Sequence, residues 1–430
     1  FHPDGRKLLY AAERDSSWNL YETRIKRQEE EHFFRATLLE ETPLLATGKE
    51  TFQPAYSPDG KEVAYLEERT ELKVLTVKSG ESRTIMPADM NYSYSDGDQH
   101  YEWSPDGKWF LVNFLPVNQW SDDAGLVKAD GTGEIINLTQ SGYSDNAPRW
   151  MLEGNAMIWY SDRHGMRSHG SWGAEYDVYG MFFNQEAWDK FNLSEDEYKL
   201  LKEKEKDGKD QEDEENDKKR KKGKQDKEDN EETKPITIEL DGIEDRKVRL
   251  TLHSARISSA VMGKEGTKLY YLARVGDKYD LWETNLRTKE TKILSKLNSS
   301  GGGALELGPA GEKLFLLNQG RIAVIAIGSG KKEMVKFSGE MELKPFAERE
   351  YLFEHAWRQV VKKFYVKDLH DVDWDFYKKE YARFLPYINN NVDFAEMMSE
   401  MLGELNASHT GARYYEPSPG GNQTASLGAF

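Results

Sequence analysis

The chain has 430 residues, a formal net charge of −17, 37% hydrophobic and 12% aromatic side chains, and no cysteine. The length calls for more than one hydrophobic core, and the apolar content is enough to build them. The acidic balance excludes a general nucleic-acid binder, whose footprint would be a basic face. The lack of cysteine excludes disulfides and thiolate metal sites and fits an oxidising or a reducing compartment equally.

The chain opens on Phe1-His-Pro-Asp-Gly5, which returns as Tyr56-Ser-Pro-Asp-Gly60 and Trp103-Ser-Pro-Asp-Gly107. Weaker copies are Trp150-Met-Leu-Glu-Gly154, Val261-Met-Gly-Lys-Glu-Gly266 and Leu307-Gly-Pro-Ala-Gly311. Each pairs an apolar residue with a turn ending in Gly, followed by an alternating strand such as Glu62–Leu66, Trp109–Val112, Ala156–Tyr160, Lys268–Leu272 or Lys313–Leu317. Such turns need residues that tolerate positive φ, which Asp-Gly supplies. A further strand follows with the pattern of Asn19–Thr23 or Asp280–Thr284. From Gly5, Gly60, Gly107, Gly154, Gly266 and Gly311 the spacings are 55, 47, 47, 112 and 45 residues. Spacings near 45 suit one four-stranded propeller blade. The long interval is then one blade plus an insertion. Within it, Lys202 to Thr233 carries no apolar residue. Such a tract buries nothing to offset its ordering entropy, so a disordered loop is expected over 202–233, a spacer in preference to a partner-binding segment.

This Ser-Pro-Asp-Gly repeat resembles the propeller blades of the TolB and tricorn families, and Ile238–Arg249 is similar to a tricorn-type propeller segment. The fold expected is mainly β: a β-propeller over 1–344 with six visible blades. The second propeller of the family has seven, so the missing blade, or part of it, is expected before Phe1; a six-bladed ring is the alternative. Because the chain opens inside a repeat, the absence of a signal peptide carries no information about compartment.

Past about Pro345 the apolar period changes from two to 3.6. Phe353, Trp357, Val360, Val361 and Phe364 form one helical face. Trp374, Tyr377, Tyr381 and Phe384 form a second, capped by Asp371 or Asp373 and closed at Pro386. A third helix is read from Asp393 as N-cap, with Glu396 completing a capping box, to about Asn406. Its stripe is Phe394, Met397, Met398, Met401, Leu402 and Leu405. Directly after it stand Ser408 and His409. A histidine on a turn leaving a buried helix has a fixed backbone and an exposed ring, well suited to take a proton from a nucleophile.

Leu402-Gly-Glu-Leu-Asn-Ala-Ser-His-Thr-Gly411 resembles the end of the first catalytic subdomain of tricorn-type serine proteases, relatives of the C-terminal processing peptidases. The resemblance makes His409 the general base and Ser408 a member of the same catalytic tetrad. It implies a helical first catalytic subdomain over 345–415, a linker at 416–430, and the first residues of a PDZ domain within Thr424–Phe430. The family's nucleophilic serine, glutamate and oxyanion donors lie beyond that PDZ domain, so the 430-residue chain is expected to be inactive alone. Peptides that reach the active site through the propeller are the expected substrates, and no cofactor is expected. A homo-oligomer is a further partner expectation; no nucleic acid and no membrane span are expected, the chain having no run of about 18 apolar residues. Family habit places the protein in the periplasm, with the cytoplasm as the alternative.

Other candidates have simpler readings. Asp162, His164, His169 and Glu175 have metal-ligand types, but their spacing matches no zinc pattern, so no metal site is expected. His355 reads as a packing or surface residue and His370 as a loop residue. Trp103, Trp109, Trp150, Trp159 and Trp282 recur in register with the blades and read as inter-sheet core rather than a sugar platform. Acidic residues near a propeller axis could shape a peptide channel, but the sequence does not locate them there. The rival class is a non-catalytic propeller scaffold with a helical docking appendage. A prolyl-oligopeptidase-type hydrolase is disfavoured because no G-x-S-x-G elbow is present.

Overall fold

The structure, a computed structural model, describes residues 1–91, 99–116, 119–168, 173–205 and 235–415. The chain divides into two compact units, Phe1–Lys336 and Phe337–Phe430.

Among the described residues the first unit is built of six antiparallel sheets. The first is β1 (Lys7–Arg14), β2 (Ser17–Ile25) and β3 (Leu39–Leu45). The second is β4 (Thr51–Tyr56), β5 (Glu62–Glu67), β6 (Glu71–Thr76) and β7 (Ser82–Met86). The third is β8 (Tyr101–Trp103), β9 (Trp109–Phe114), β10 (Asp123–Lys128) and β11 (Ile136–Asn137). The fourth is β12 (Asp145–Met151), β13 (Ala156–Ser161), β14 (Asp177–Phe182) and β15 (Lys247–Arg249). The fifth is β16 (Arg256–Met262), β17 (Lys268–Val275), β18 (Lys278–Asn285) and β19 (Thr291–Ser299). The sixth is β20 (Gly303–Leu307), β21 (Lys313–Asn318), β22 (Arg321–Ala326) and β23 (Lys332–Met334). Each is a meander whose strand order in space is its order in the chain.

The repeated Gly turn joins the first and second strands of these sheets or, in its first copy, enters β1. Gly5, Gly60, Gly107, Gly154, Gly266 and Gly311 all have positive φ, between 66° and 93°. At five of the six positions the glycine amide donates to the carbonyl three residues earlier, at 2.8–2.9 Å. In the Ser-Pro-Asp-Gly copies the serine hydroxyl donates to the aspartate (Ser57 to Asp59 and Ser104 to Asp106, both 2.7 Å), which in turn accepts a backbone amide beyond the glycine. Local polar groups therefore saturate the turn, which explains why this tetrapeptide recurs.

Consecutive sheets pack face to face. Leu20 meets Val63, Tyr65 and Leu75 of the second sheet. Phe52, Leu66 and Val74 meet Phe110 and Val112 of the third. Leu111 and Leu126 meet Trp150 and Met157, and Ile158 and Val178 meet Ala260 and Leu269. Val261 and Leu272 meet Leu305 and Leu316. The expected alternation along the second strands therefore fails inside the stack: Val63–Glu67 of β5 are all buried, as is β13 apart from Tyr160. A sheet covered on both faces has no solvent side to reserve for polar residues. Alternation survives in β21, where Leu314 and Leu316 are buried and Phe315 and Leu317 are 41% and 51% exposed. The tryptophans do lie in these inter-sheet layers: Trp150 and Trp159 are buried, and Trp103, Trp109 and Trp282 pack against the same clusters.

The insertion lies between β14 and β15 of the fourth sheet. It opens with α1 (Gln185–Asn192), whose Asn184 cap accepts from the Ala187 amide, and α2 (195–205). The charged tract was expected to be loop from Lys202, but 202–205 continue α2. The reason is charge pairing: Lys202 reaches Glu205 at 3.4 Å and Glu265 at 3.2 Å, and Lys190 reaches Glu205 at 3.0 Å. The rest of that expectation, 206–233, lies outside the described residues.

The second unit contains α3 (Pro345–Lys363), α4 (Trp374–Ala382) and α5 (Asn391–Gly403). They enclose one core of Phe353, Trp374, Phe394, Met397, Met398, Met401 and Leu405. Trp357 and Trp374 each donate an indole N–H to the other's backbone carbonyl at 3.2 Å, which pins α3 to α4. Two predicted face residues, Val361 and Phe384, are instead 50% and 43% exposed. Asp373 caps α4, accepting from the Phe376 amide at 2.9 Å. The cap of α5 is Asn390 rather than Asp393: its side chain accepts the Asp393 amide at 2.9 Å and donates to the Asp393 carboxylate at 2.8 Å. Asp393 is thus the third residue of the helix, bonded to the cap through both its amide and its carboxylate, and not the cap itself. The expected linker and PDZ start at 416–430 lie outside the described residues.

Candidate active site

The α5 helix ends at Gly403, short of Asn406, and a turn through Glu404 and Leu405 leads to Ser408 and His409. Leu405 is buried in the helical core, so the turn starts from a fixed point. Asn406 (φ 48°) and His409 (φ 63°) then adopt left-handed backbone conformations. For a non-glycine residue this costs about 1 kcal/mol or more, least for Asn. The Thr410 hydroxyl donates to the Ala407 carbonyl at 2.9 Å across the two residues between them. Gly411 has φ 155°, and a Cβ there would lie 3.2 Å from the Ser399 hydroxyl on α5. The closing Gly of the Ser-His-Thr-Gly segment is therefore set by both backbone conformation and space.

Ser408 and His409 are adjacent and exposed, and among the described residues neither side chain has a hydrogen-bond partner. The His409 ring is thus free to serve as a proton acceptor toward a group brought to it. Beside the turn, the Tyr381 hydroxyl donates to Glu404 at 2.9 Å, and Tyr381 is pushed up to about 12 by desolvation and then by this carboxylate.

A second left-handed stretch faces the end of α5. Leu369, His370 and Asp371 have φ 51°, 57° and 60° in succession. His370 is more than a loop residue: its Nδ1 lies 3.1 Å from the Leu405 carbonyl and its Nε2 lies 2.5 Å from the Tyr365 hydroxyl. No sequence pattern signals this contact, because His370 and Leu405 are 35 residues apart. His355 lies on α3 with its ring stacked 5.8 Å from Tyr351.

Charged residues also converge in the sheet unit. Arg149 on β12 reaches the Glu306 carboxylate on β20 at 2.9 and 3.0 Å, linking the fourth sheet to the sixth. A bulge in β12 between Asn146 and Arg149 aims that side chain. Glu102 on β8 accepts the Trp150 amide at 2.9 Å. Burial raises the Glu102 carboxyl to about 7, with the Trp150 amide and Arg149 acting against the rise. Nearby His100 is held below its ordinary value by burial, and its Nε2 donates to the Pro148 carbonyl at 2.7 Å. The first strands of three sheets, β8, β12 and β20, thus bring together two carboxylates and a guanidinium that the sequence left unplaced.

Two residues of the metal-type cluster have other partners. Asp162 pairs with Arg167 at 3.1 Å and accepts the Ser144 amide, while His164 stacks on Tyr179. His169 lies outside the described residues. Among the described residues no three metal-ligating side chains converge, and no helix is long and apolar enough to cross a membrane.

Comparison with known proteins bears on both units. Residues 345–403 match the family model of the tricorn protease C1 domain. Over 374 residues, 82% of the chain, it is 22% identical to a Sulfurisphaera tokodaii protein described as a Tricorn-like protease C-terminal subunit. The fold matches the crystal structure of the tricorn protease with a TM-score of 0.62 over 94% of the chain, at 11% identity. TolB from Acinetobacter baumannii is matched at a TM-score of 0.42 and 14% identity, over 79% of this chain and 65% of its own. The chain spans 38% of the length of the S. tokodaii protein and 37% of that of the tricorn protease chain. Residues 345–403 are thus similar to the tricorn protease C1 domain, and the fold of the chain is similar to that of the tricorn protease.

Proposed function

We propose that this chain is the propeller and first catalytic subdomain of a serine-type peptidase that degrades unfolded peptides. One observation carries the reading: the tricorn C1 match ends at 403 and runs directly into an exposed turn bearing Ser408 and His409. His409 takes the proton of a serine hydroxyl as it attacks the scissile carbonyl and returns it to the departing amine; water then hydrolyses the acyl-enzyme. The Ser408 hydroxyl helps orient the reacting groups. The nucleophile and the oxyanion donors come from outside residues 1–430, so the chain by itself does not cleave peptides. The six sheets are blades of a propeller, closed as six or as seven, and peptides enter through its axis. The meeting of Arg149 and Glu306 from non-neighbouring sheets supports such an axis, lined by charge. The protein works as an assembly of several copies.

The test is peptidase activity of the intact gene product on an unstructured peptide, beside His409→Ala. A folded variant that loses about a hundredfold or more supports His409 as general base. Equal cleavage by both makes His409 structural. No cleavage by either favours a non-catalytic propeller scaffold.

A further inference from the structure

The α5 helix ends with backbone carbonyls that have no partner within the helix, a general property of helix C-termini. The Leu405 carbonyl, two residues past the helix, finds one in His370. A carbonyl oxygen only accepts, so Nδ1 of His370 carries the hydrogen and donates at 3.1 Å. In the neutral ring Nε2 is then the acceptor, and the Tyr365 hydroxyl donates to it at 2.5 Å. Phe364 and Tyr365 meet the imidazole edge-to-face, each with ring centroids 5.2 Å away, and so limit its rotation. The three successive left-handed residues at 369–371 aim the ring at this carbonyl, while the buried Leu369 side chain anchors them in the helical core. Strain of this kind persists only where the surrounding structure enforces it.

We infer that His370 is a positioning residue for the Ser408–His409 turn: it ties the Leu405 carbonyl, the last buried point before the turn, to the end of α3. The inference rests on the proposed role of His409 for its catalytic meaning, but the tie itself does not. Without it the carbonyl loses its side-chain donor, and among the described residues, 406–411 keep only local hydrogen bonds.

Two nearly isosteric substitutions separate donation from shape. His370→Asn and His370→Asp both suit a left-handed backbone. Asn can place an amide N–H where Nδ1 now donates; Asp places a carboxylate oxygen there, facing the carbonyl. In the 430-residue chain, followed by hydrogen–deuterium exchange, His370→Asp exchanges amides 406–411 about five- to tenfold faster than wild type, and His370→Asn stays within about twofold, as expected for one hydrogen bond. Exchange in the core of α3 is unchanged in both. In the intact gene product, His370→Asp lowers kcat by a similar factor at unchanged KM, and His370→Asn restores it. Equal exchange of the two variants at 406–411 overturns the inference, and so does faster exchange throughout 345–415, which would mean simple unfolding. A separation in exchange with equal kcat in an active enzyme also overturns it. If exchange separates the variants but the intact product cleaves nothing, the peptidase reading fails while the tie stands.

Discussion

The repeated turns of the sheet unit and the turns around the candidate site handle left-handed backbone in different ways. In the sheet unit all six repeated turns place glycine at that position, from Gly5 to Gly311. In the helical unit Leu369, His370, Asp371, Asn406 and His409 occupy it, clustered where α5 gives way to the Ser408–His409 turn. A repeated architectural turn is relaxed by its residue type, whereas the turns around the candidate site keep side chains at a conformational cost. Among the described residues the sheet unit also holds twelve non-glycine left-handed positions, including the hairpin pairs Asp15-Ser16 and Glu68-Arg69, Leu152-Glu153 just before Gly154, and Gln53 and Ala147 in the bulges of β4 and β12. Ala147 lies two residues before Arg149, so there too strain sits beside converging charge.

This contrast can be attacked from both sides. The largest effect belongs to the strained turn: His409→Ala removes about a hundredfold or more of kcat/KM in the intact gene product while leaving its melting transition in place. Next in size is packing within the stack. Ile158→Ala, buried between the fourth and fifth sheets, costs about 3 kcal/mol in denaturant unfolding, whereas Leu317→Ala on the open face of the sixth sheet costs less than about 1 kcal/mol. Similar losses at both would mean that the sixth sheet is covered in solution.

Glu102 gives a pH signature. Its folded value, near 7, is above the ordinary carboxylate value of 4.5, so the folded chain holds a proton that the unfolded chain releases. The associated stability is full below about pH 4.5 and is lost as the pH rises through 7, on the order of 3 kcal/mol. Urea unfolding of Glu102→Gln should show a flatter pH dependence over that window than wild type; an unchanged slope would mean that Glu102 is ionised and solvated throughout.

The smallest effects test the turns directly. Gly5→Ala meets open space and pays only for its φ of 71°, about 1 kcal/mol. Gly60→Ala has the same φ, but its Cβ would overlap the His2 ring, so it costs about 1 kcal/mol more. Thermal unfolding that ranked the two in reverse would show that the entry to β1 is fixed less firmly than its hydrogen bonds suggest.

Much of this was legible in the residues. The six turns announce themselves because a left-handed position next to a strand leaves few residue types, and the helical stripes because burial on one face imposes a 3.6-residue period. The errors have physical causes as well. Asn390 and Asp393 are both competent caps three residues apart, and the approach of the chain through the buried Ile388 selected the first. Val361 and Phe384 sit on apolar stripes, but α4 and α5 cover only part of each. Lys202 to Glu205 look unable to fold by composition, yet complementary charges on α1 and at Glu265 hold them helical.

By itself the sequence determined what depends on neighbours along the chain: the repeat and its turns, the change from strand to helical period, and a Ser-His pair just past a buried helix. Only the tertiary structure decided which strands are buried on both faces, that Arg149 and Glu306 meet across 157 residues, and that His370 donates to Leu405. The reason is reach. A turn or a helix period is set by sterics within a few residues, while a hydrogen bond or ion pair between distant segments exists only after packing has brought their backbones together.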